Sequence, residues 1–167
     1  MKVSKTFYNA GSSISGKGAF ALRDIKAGET IAYLSGETVS EKEIDRRISA
    51  GKERRDDPLQ FGKGVYIDLD EKFRQINHSC DPNAGIKGEN ELFAIKDIGI
   101  GDEITFDYST VVGSQSDWSM ECKCRSKKCR KQIKNYRSIP KDILNSYFHL
   151  GCLPDFVKEE VRDINRF

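Results

Sequence analysis

The chain has 167 residues, of which 37% are hydrophobic and 32% charged, so it is long enough to fold as one domain that buries roughly two-thirds of its unfolded surface. Its 28 Lys and Arg residues against 26 Asp and Glu residues give a net charge of +2, which supplies no broad basic face for nucleic-acid phosphates. No signal-peptide pattern and no membrane-spanning stretch is present, which predicts an intracellular protein without a membrane partner.

A glycine-rich segment, Gly11-Ser-Ser-Ile-Ser-Gly-Lys-Gly18, comes first along the chain. It nearly matches the phosphate-binding loop of nucleotide hydrolases, but Gly18 stands where a Ser or Thr hydroxyl would hold magnesium. Residues 16–21 also nearly match the dinucleotide-binding fingerprint, yet the chain lacks the alternation of strands and long helices that a doubly wound sheet requires. The glycines therefore form either a surface turn or a place where the backbone approaches a ligand closely.

An internal repeat at an offset of 73 residues indicates the main strands. Residues 20–33 match residues 93–106, and each copy reads as an apolar strand, a turn at Gly28 or Gly101, and a second strand. The repeat predicts two similar β-hairpins. With a further candidate strand at Gly64–Leu69, it favours a mainly β fold of short strands with short helices.

A short helix is predicted between the two copies of the repeat. Ser40 and Glu43 form a capping box at its start, and Gly51 marks its end. Ile44 and Ile48 supply an i, i+4 apolar pair on one face. The charged run 52–57 that follows is predicted to be a solvated loop.

Two more helices are predicted at the C-terminus. Pro140 suits the first turn of one helix, which ends at Gly151, and Pro154 opens the other. Their apolar faces comprise Ile143, Leu144, Tyr147 and Phe148 in the first helix and Val157, Val161 and Ile164 in the second. We expect both helices to pack on the domain, with a dimer contact as the alternative.

Two further motifs, Asn77-His-Ser-Cys-Asp-Pro-Asn83 and Gly101-Asp-Glu-Ile-Thr-Phe-Asp-Tyr108, follow the Gly16-Lys-Gly18 segment in order. Together the three closely resemble the hallmark motifs of SET-domain protein-lysine methyltransferases. The resemblance extends from about Gly11 to Arg130 and includes a cysteine cluster similar to the family's post-SET module. Gln75 departs from it, because the family usually has an aromatic residue two positions before the Asn-His pair.

The resemblance implies a SET fold: small curved β-sheets with a pseudoknot-like threading of the C-terminal segment, here followed by two C-terminal helices. It divides the chain into a SET domain over residues 1–110, with a variable insert at about 37–72, and a post-SET zinc module over 111–131. Residues 132–167 form a C-terminal helical tail that we expect to pack on the same domain.

The implied activity is transfer of methyl groups from S-adenosylmethionine to the ε-amine of a lysine in a protein, leaving S-adenosylhomocysteine. By resemblance, Gly16, Lys17 and Gly18 contact the methionine part of the cofactor, and Asn77 and His78 contact its adenosine part. The substrate is expected to be histone-like or ribosomal, and the enzyme to be a monomer or homodimer. It would work in the cytoplasm of a microbe or, on chromatin, in the nucleus.

The chemistry explains why a tyrosine is needed. An in-line displacement needs a neutral amine, whereas a free lysine has a pKa of about 10.4, and a low-dielectric channel beside a sulfonium lowers that pKa. The Tyr108 hydroxyl can donate and accept, so it can orient the amine, and we predict that it is the catalytic residue. Tyr33, by resemblance the second active-site tyrosine, and Phe106 are expected to line the channel. Phe106 in place of Tyr favours di- or trimethyl-lysine.

Three of the five cysteines, Cys122, Cys124 and Cys129, fall within eight residues, which indicates a structural metal site rather than disulfides. Zinc needs a fourth ligand, and the remaining candidates are Cys80, Cys152, His78 and His149. The resemblance selects Cys80. The nearby basic residues then serve as counter-charges to the thiolates: Lys123, Arg125, Lys127, Lys128 and Arg130.

Two rival functions remain open at this stage. One is a catalytically weak SET-fold module that only binds a peptide, which the retained motif residues disfavour. The other is a zinc-dependent nucleic-acid adaptor, which rests on the basic cysteine cluster alone, so direct binding of nucleic acid is not expected.

Overall fold

Residues 6–52 and 58–164 are described by a computed structural model in which short β-strands predominate. None of the helices in these two ranges has the length and apolar character needed to cross a membrane. The strands are Phe7–Gly11 (β1), Lys17–Ala21 (β2), Thr30–Tyr33 (β3), Gly36–Ser40 (β4), Pro58–Gly62 (β5), Val65–Leu69 (β6), Asn77–His78 (β7), Ala84–Lys87 (β8), Glu91–Ala94 (β9), Glu103–Phe106 (β10), Met120–Glu121 (β11) and Gln132–Ile133 (β12).

The helices are short and lie mostly in the insert and at the C-terminus. They are Glu41–Ser49 (α1), Glu71–Arg74 (α2), Lys141–Leu150 (α3) and Asp155–Ile164 (α4), with single 3-10 turns at Tyr108–Val111 and Tyr136–Ser138. The strands form small sheets with the orders β1-β2-β10-β7, β3-β9-β8, β4-β6-β5 and β11-β12. The prediction of a mainly β fold with short helices is therefore confirmed.

The two copies of the internal repeat pair with each other instead of each forming a hairpin. Strand β2 of the first copy is antiparallel to β10 of the second, and β3 is antiparallel to β9. Ile25 and Ile98, which are equivalent in the repeat, exchange two backbone hydrogen bonds of 2.9 Å at the centre. The equivalent glycines Gly28 and Gly101 both have positive φ, at 85° and 83°. The prediction of two separate hairpins was wrong, because the repeat specifies strand positions but not partners.

One parallel pair lies within this otherwise antiparallel arrangement. Strand β10 runs parallel to β7, with Thr105 opposite Asn77 and Phe106 opposite His78. The Ser79 N–H extends the pairing by donating to the Phe106 carbonyl at 3.1 Å. Two motifs that are separated by 17 residues in sequence are thereby held side by side.

The insert forms its own sheet, β4-β6-β5, with α1 beside it. Ser40 caps the helix as predicted, since the Glu43 N–H donates to its hydroxyl at 3.3 Å. The Glu43 carboxylate accepts from Arg46 and Arg47, so the second hydrogen bond of a capping box is replaced by ion pairs within the helix. Arg47 on this helix donates to carboxylates of Glu37, Glu43 and Asp68, which ties α1 to both neighbouring strands. Most of the predicted solvated loop at 52–57 lies outside the described residues.

The C-terminal helices bury their apolar faces against the rest of the chain. Leu153 and Val157 are fully buried in a cluster that also contains Phe93 of β9 and Tyr136. Helix α3 ends as predicted at Gly151, whose φ of 72° is a left-handed conformation that glycine adopts at low cost. The described side chains of α3 and α4 thus pack on the domain.

Candidate functional site

A cavity of about 270 Å³ opens between the insert and the segment that follows β10. It is smaller than the clefts of about 300–1,000 Å³ that typically hold small-molecule ligands. Its volume therefore suits a single long side chain better than a whole nucleotide-sized cofactor.

The cavity has apolar walls and an acidic rim. Buried lining residues include Ile44, Leu59, Phe73, Ile76, Phe106 and Val111. The exposed carboxylates that line it are Glu41, Asp45 and Asp117. A cationic side chain would be attracted at the rim, whereas the interior disfavours its charged form.

Tyr108 lies two residues after the end of β10 and lines this cavity. Its hydroxyl donates to the Ile76 carbonyl at 2.7 Å, and its ring centroid is 4.9 Å from that of Phe106. Strand β10 ends at Phe106, and Tyr108 begins a 3-10 turn, so the rings meet through the turn and not along one face of a strand.

The Gly16–Gly18 segment and Asn77 are joined by direct hydrogen bonds. The Asn77 side-chain amide donates to the carbonyls of Ser15 at 3.2 Å and Lys17 at 3.0 Å. The same amide donates to the Glu103 carboxylate at 2.7 Å. The structure therefore brings the residues predicted to bind the cofactor to one place, where β2, β7 and β10 are neighbours.

Glu103 is a residue of this region that the sequence analysis did not single out. Its carboxylate accepts hydrogen bonds from Ser12 and Asn77 and lies directly over Gly18. A Cβ at Gly18 would come within 2.2 Å of a Glu103 carboxylate oxygen, so only glycine fits there without displacing it. The only signal in the sequence was the position of Glu103 inside the third motif.

His78 is buried between Tyr108 and the cysteine cluster. Its Nδ1 accepts a hydrogen bond of 3.1 Å from the Tyr108 N–H, and its Nε2 lies 3.3 Å from the Cys80 sulfur. Burial, reinforced by the positive charge of Arg130, lowers the pKa of His78 to about 3, so the ring is neutral. A neutral ring that accepts at Nδ1 carries its proton on Nε2, and a protonated Nε2 cannot ligate a metal.

The cysteines that were predicted to bind zinc converge beneath this histidine. The ligand atoms of His78, Cys80, Cys122 and Cys124 all lie within 4.8 Å of one another, and Cys129 packs against the same cluster. The sulfur atoms of Cys80 and Cys122 are 3.7 Å apart. Zinc–sulfur bonds of about 2.3 Å in a tetrahedron give sulfur–sulfur distances of about 3.8 Å.

The chemistry of the four thiols also fits a metal cation. Burial raises the pKa of Cys80 and of Cys122, so these thiols do not ionise readily by themselves. A bound zinc ion would stabilise the thiolate forms. The other candidates are less suitable, because Cys152 is buried in the separate C-terminal cluster and the His149 Nδ1 contacts its own helix at the Asn145 carbonyl.

Arg130 connects the cysteine cluster to the turn that carries Tyr108. Its backbone N–H donates to the Cys80 sulfur at 3.3 Å, and its guanidinium donates to the buried Asp107 carboxylate at 2.6 Å. Burial raises the pKa of Asp107, and the positive charge of Arg130 opposes that rise. The Tyr147 hydroxyl of α3 donates to the other oxygen of Asp107 at 3.4 Å.

The structure does not bring Tyr33 to the cavity. Its side chain is 63% exposed, whereas its neighbour Leu34 is 1% exposed. An irregularity between Thr30 and Ala32 shifts the register of β3, so the buried Ile31 and the exposed Tyr33 do not share a face as residues i and i+2 of a regular strand would. The bulge leaves no clear mark in the sequence.

Aromatic residues that line the cavity without having been predicted there come from the insert and from the segment before the cysteines. Tyr66 of β6 lies in the wall, as does Trp118. The alternation of faces along the predicted strand at Gly64–Leu69 indicates which residues share a face with Tyr66. It does not indicate that this face borders a cavity.

Comparison with known proteins identifies the arrangement. The family model described as SET domain matches residues 16–109. The H3 lysine-9 specific histone-lysine N-methyltransferase KMT1 of Fusarium mangiferae is 37% identical over 145 residues, covering 64% of this chain and 42% of that protein. The probable histone-lysine N-methyltransferase set-23 of Caenorhabditis briggsae is 32% identical over 136 residues, covering 71% of this chain and 56% of that protein.

Solved structures agree with the sequence comparison. A humanized mutant of the Chaetomium thermophilum Polycomb Repressive Complex 2 bound to the inhibitor GSK126 has a TM-score of 0.57 at 27% identity, covering 65% of this chain and 15% of that chain. A structure of ctPRC2 in an autoinhibited conformation bound to S-adenosylmethionine has a TM-score of 0.57 at 27% identity. The match covers 65% of this chain and 16% of that chain. The chain spans about half the length of the two histone-lysine methyltransferases above. Since the SET-domain model matches more than half of its residues, the chain belongs to the SET-domain family.

Proposed function

We propose that this chain is an S-adenosylmethionine-dependent protein-lysine N-methyltransferase whose product is di- or trimethyl-lysine. The observation that carries the proposal is the position of the Tyr108 ring, which lines the cavity and lies 5.4 Å from the ring of His78, a residue predicted to bind the cofactor. We infer that this side chain lies between the lysine site and the methyl-donor site.

S-adenosylmethionine would supply the methyl group as an electrophile on a positive sulfonium. The chain's own residues would prepare the lysine. The apolar walls formed by Ile44, Phe106 and Val111 disfavour a charged amine, which therefore releases its proton to solvent. The Tyr108 hydroxyl, held by the Ile76 carbonyl, would orient the neutral amine for in-line attack.

A protein rather than a small amine is the proposed substrate. The cavity is sized for one side chain, and its rim carries carboxylates that attract a cation. The relatives named above as histone-lysine methyltransferases support a histone-like substrate, with ribosomal proteins as further basic candidates. Tyr33 is left out of the proposed channel, because its side chain is exposed outside the cavity.

A structural zinc ion is part of the proposal, with Cys80, Cys122, Cys124 and Cys129 as its ligands. The neutral Nε2–H tautomer of His78 supports Cys129 as the fourth ligand, since that tautomer offers the Cys80 sulfur a hydrogen bond and leaves no nitrogen lone pair for the metal. Such a zinc would hold the post-SET segment, including Trp118, beside the cavity.

The test is transfer of a labelled methyl group to core histones and to ribosomal proteins, with products identified by mass. Tyr108→Phe should lower turnover by at least ~100-fold while cofactor binding stays close to normal, the scale expected for losing orientation of a reacting group. Tyr8→Phe removes the hydroxyl of an exposed residue that does not line the cavity and should leave turnover within twofold.

Two results would contradict the proposal. Cofactor binding without transfer to any protein of a complete cell extract would favour the peptide-binding module. Turnover of Tyr108→Phe within threefold of the parent would remove Tyr108 from its role.

A further inference from the structure

Positive charge is concentrated in one short part of the chain. Residues 122–141 contain nine Lys and Arg residues and no Asp or Glu. The other 147 residues contain 19 basic and 26 acidic residues, a net charge of −7. The overall charge of +2 therefore hides a strongly basic module on an acidic body. We call residues 122–141 the basic module.

The first half of the module, residues 122–131, is a closed loop. Strands β11 and β12 pair on either side of it, and the Cys122 N–H donates to the Lys131 carbonyl at 2.7 Å. The cysteine cluster gathers the intervening loop. Eight of the module's basic side chains are exposed: Lys123, Arg125, Lys127, Lys128, Lys131, Lys134, Arg137 and Lys141.

Counter-charge to the thiolates does not account for so many cations. Four thiolates around one zinc ion leave a net charge near −2, and the half-buried Arg130 already contacts the cluster. Among the described residues, only Lys128 and Arg130 of the module form an ion pair with a carboxylate, to Asp81 and Asp107. Most of the positive charge therefore faces solvent without compensation.

The backbone gives an independent indication that these side chains have a role. Arg125 and Lys131 have positive φ angles of 54° and 65° and are the described non-glycine residues with this conformation. A left-handed backbone costs a residue with a Cβ roughly 1–2 kcal/mol, and glycine would avoid that cost. Both strained positions carry an exposed cation. Backbone outliers of this kind cluster at ligand-binding and switch regions, which motivates a search for a ligand here.

The composition of the surface distinguishes among polyanions. Tyr136, the aromatic residue of the module, is 1% exposed, so no ring is available to stack on unpaired bases. Ile133 and Ile139 are also buried, so no apolar side chain of the module is offered to a membrane. What remains is a dense set of point charges, which suits the regularly spaced phosphates of a duplex, one charge per about 1.7 Å.

We propose that the basic module is a sequence-independent binding surface for the phosphate backbone of duplex DNA. This differs from the sequence-based expectation that nucleic acid is not bound directly, which relied on the overall charge. The binding needs no methyl donor and no lysine substrate, so it can be tested independently of the proposed methyl transfer.

The test is fluorescence anisotropy of a labelled 24-base-pair duplex titrated with the full chain at several salt concentrations. We expect dissociation constants of about 10⁻⁶ to 10⁻⁴ M at physiological salt, and a log–log salt slope of roughly −4 if about five phosphates are neutralised. A matched single strand should bind more weakly. No binding at 50 mM salt would overturn the proposal, as would tighter binding to polyglutamate or to phosphatidylserine vesicles.

A matched pair of variants separates location from net charge. Replacing Lys123, Lys127 and Lys131 with Ala should weaken duplex binding at least tenfold and reduce the salt slope by about 2 to 3. Replacing Lys42, Lys52 and Lys63 with Ala removes the same charge from the insert and should change binding less than twofold. Equal effects of the two variants would overturn the proposal.

Metal content and thermal unfolding check that the first variant is folded. If it loses zinc, the double variant Lys134→Ala, Lys141→Ala, which lies outside the cysteine loop, replaces it and should weaken duplex binding at least threefold. Unchanged binding by that folded double variant would count against the module.

Discussion

Phe106 decides how much room the proposed lysine channel leaves beside Tyr108. It is 5% exposed and lines the cavity, and its ring tilts by 43° against that of Tyr108. A phenol here would hold an ordered water in the space that a methylated amine must occupy. A phenyl ring offers no such hydrogen bond, so a methyl group displaces the water at little cost.

Phe106→Tyr should therefore shift the product from di- or trimethyl-lysine towards monomethyl-lysine, with the first transfer nearly unchanged. A time course on an accepted peptide, with the three products resolved by mass, measures the shift. If the parent stops at monomethyl-lysine with peptide exhausted, or if the variant gives the parental distribution, this view of the channel is wrong.

Gly18 offers a test of the other side of the site. A Cβ there would displace the Glu103 carboxylate, which holds the Asn77 amide at 2.7 Å. A hydrogen bond to a charged group contributes about 1.5–3 kcal/mol, so Gly18→Ala should weaken binding of S-adenosylhomocysteine by roughly tenfold or more in calorimetry. Gly11→Ala, where a Cβ meets nothing within 4 Å, should leave that affinity unchanged. If both variants bind S-adenosylhomocysteine with the same affinity, Glu103 does not contribute to the cofactor site.

Single residues show where prediction from sequence reached its limit. Tyr108 was placed by a motif of contiguous residues, and the structure puts it on the cavity wall. Tyr33 was placed in the channel by the family resemblance, and its side chain is exposed next to an irregularity in β3. A residue within a contiguous motif can be placed from sequence because its position depends on its neighbours in the chain. The face on which a strand residue lies depends instead on the register with the partner strand.

At the level of elements, sequence patterns gave positions better than pairings. The repeat located β2, β3, β9 and β10, and capping residues located α1 and α3. No local feature of the sequence indicates that the two copies, 73 residues apart, pair with each other. Strand pairing within each copy and strand pairing between the copies would bury the same apolar residues. The parallel contact of β7 with β10 likewise has no local signal in the sequence.

The loop of residues 122–131, which carries three of the proposed zinc ligands, depends on the metal ion for its structure. Cys124→Ser should reduce zinc from one ion per chain to substoichiometric levels and abolish methyl transfer, since one missing ligand opens the site. Cys152→Ala removes a thiol that lies in the C-terminal cluster and should keep one zinc per chain. Elemental analysis of both purified variants checks the assignment. Active parent protein without zinc would contradict it.

At the scale of the whole molecule, one buried carboxylate joins three parts of the chain. Asp107 caps the turn of Tyr108 by accepting from the Ser109 N–H, and it accepts from Arg130 of the basic module and Tyr147 of α3. A buried charge that loses a partner is costly, so these three parts hold one another in place. Asp107 belongs to the third sequence motif, but the motif does not predict its contacts with the distant Arg130 and Tyr147.

This connection predicts that the C-terminal helices unfold together with the rest of the domain. Leu153 is fully buried in the cluster that joins α4 to Phe93 of β9, and truncating a buried leucine typically costs about 2–5 kcal/mol. Leu153→Ala should therefore lower the midpoint of thermal unfolding, by about 2–4 °C per kcal/mol for a chain of this size. Leu150→Ala, at a position that is 53% exposed three residues earlier, should lower it by less than about 2 °C.

The measurement uses two probes that report on different regions. Far-ultraviolet circular dichroism follows the helices, and the fluorescence of Trp118, the single tryptophan, follows the wall of the cavity. In a single cooperative domain both transitions coincide in the parent and shift together in Leu153→Ala. If the dichroism midpoint falls while the fluorescence midpoint stays at its parental value, the C-terminal helices unfold separately, and the tail is not part of the domain that carries the site.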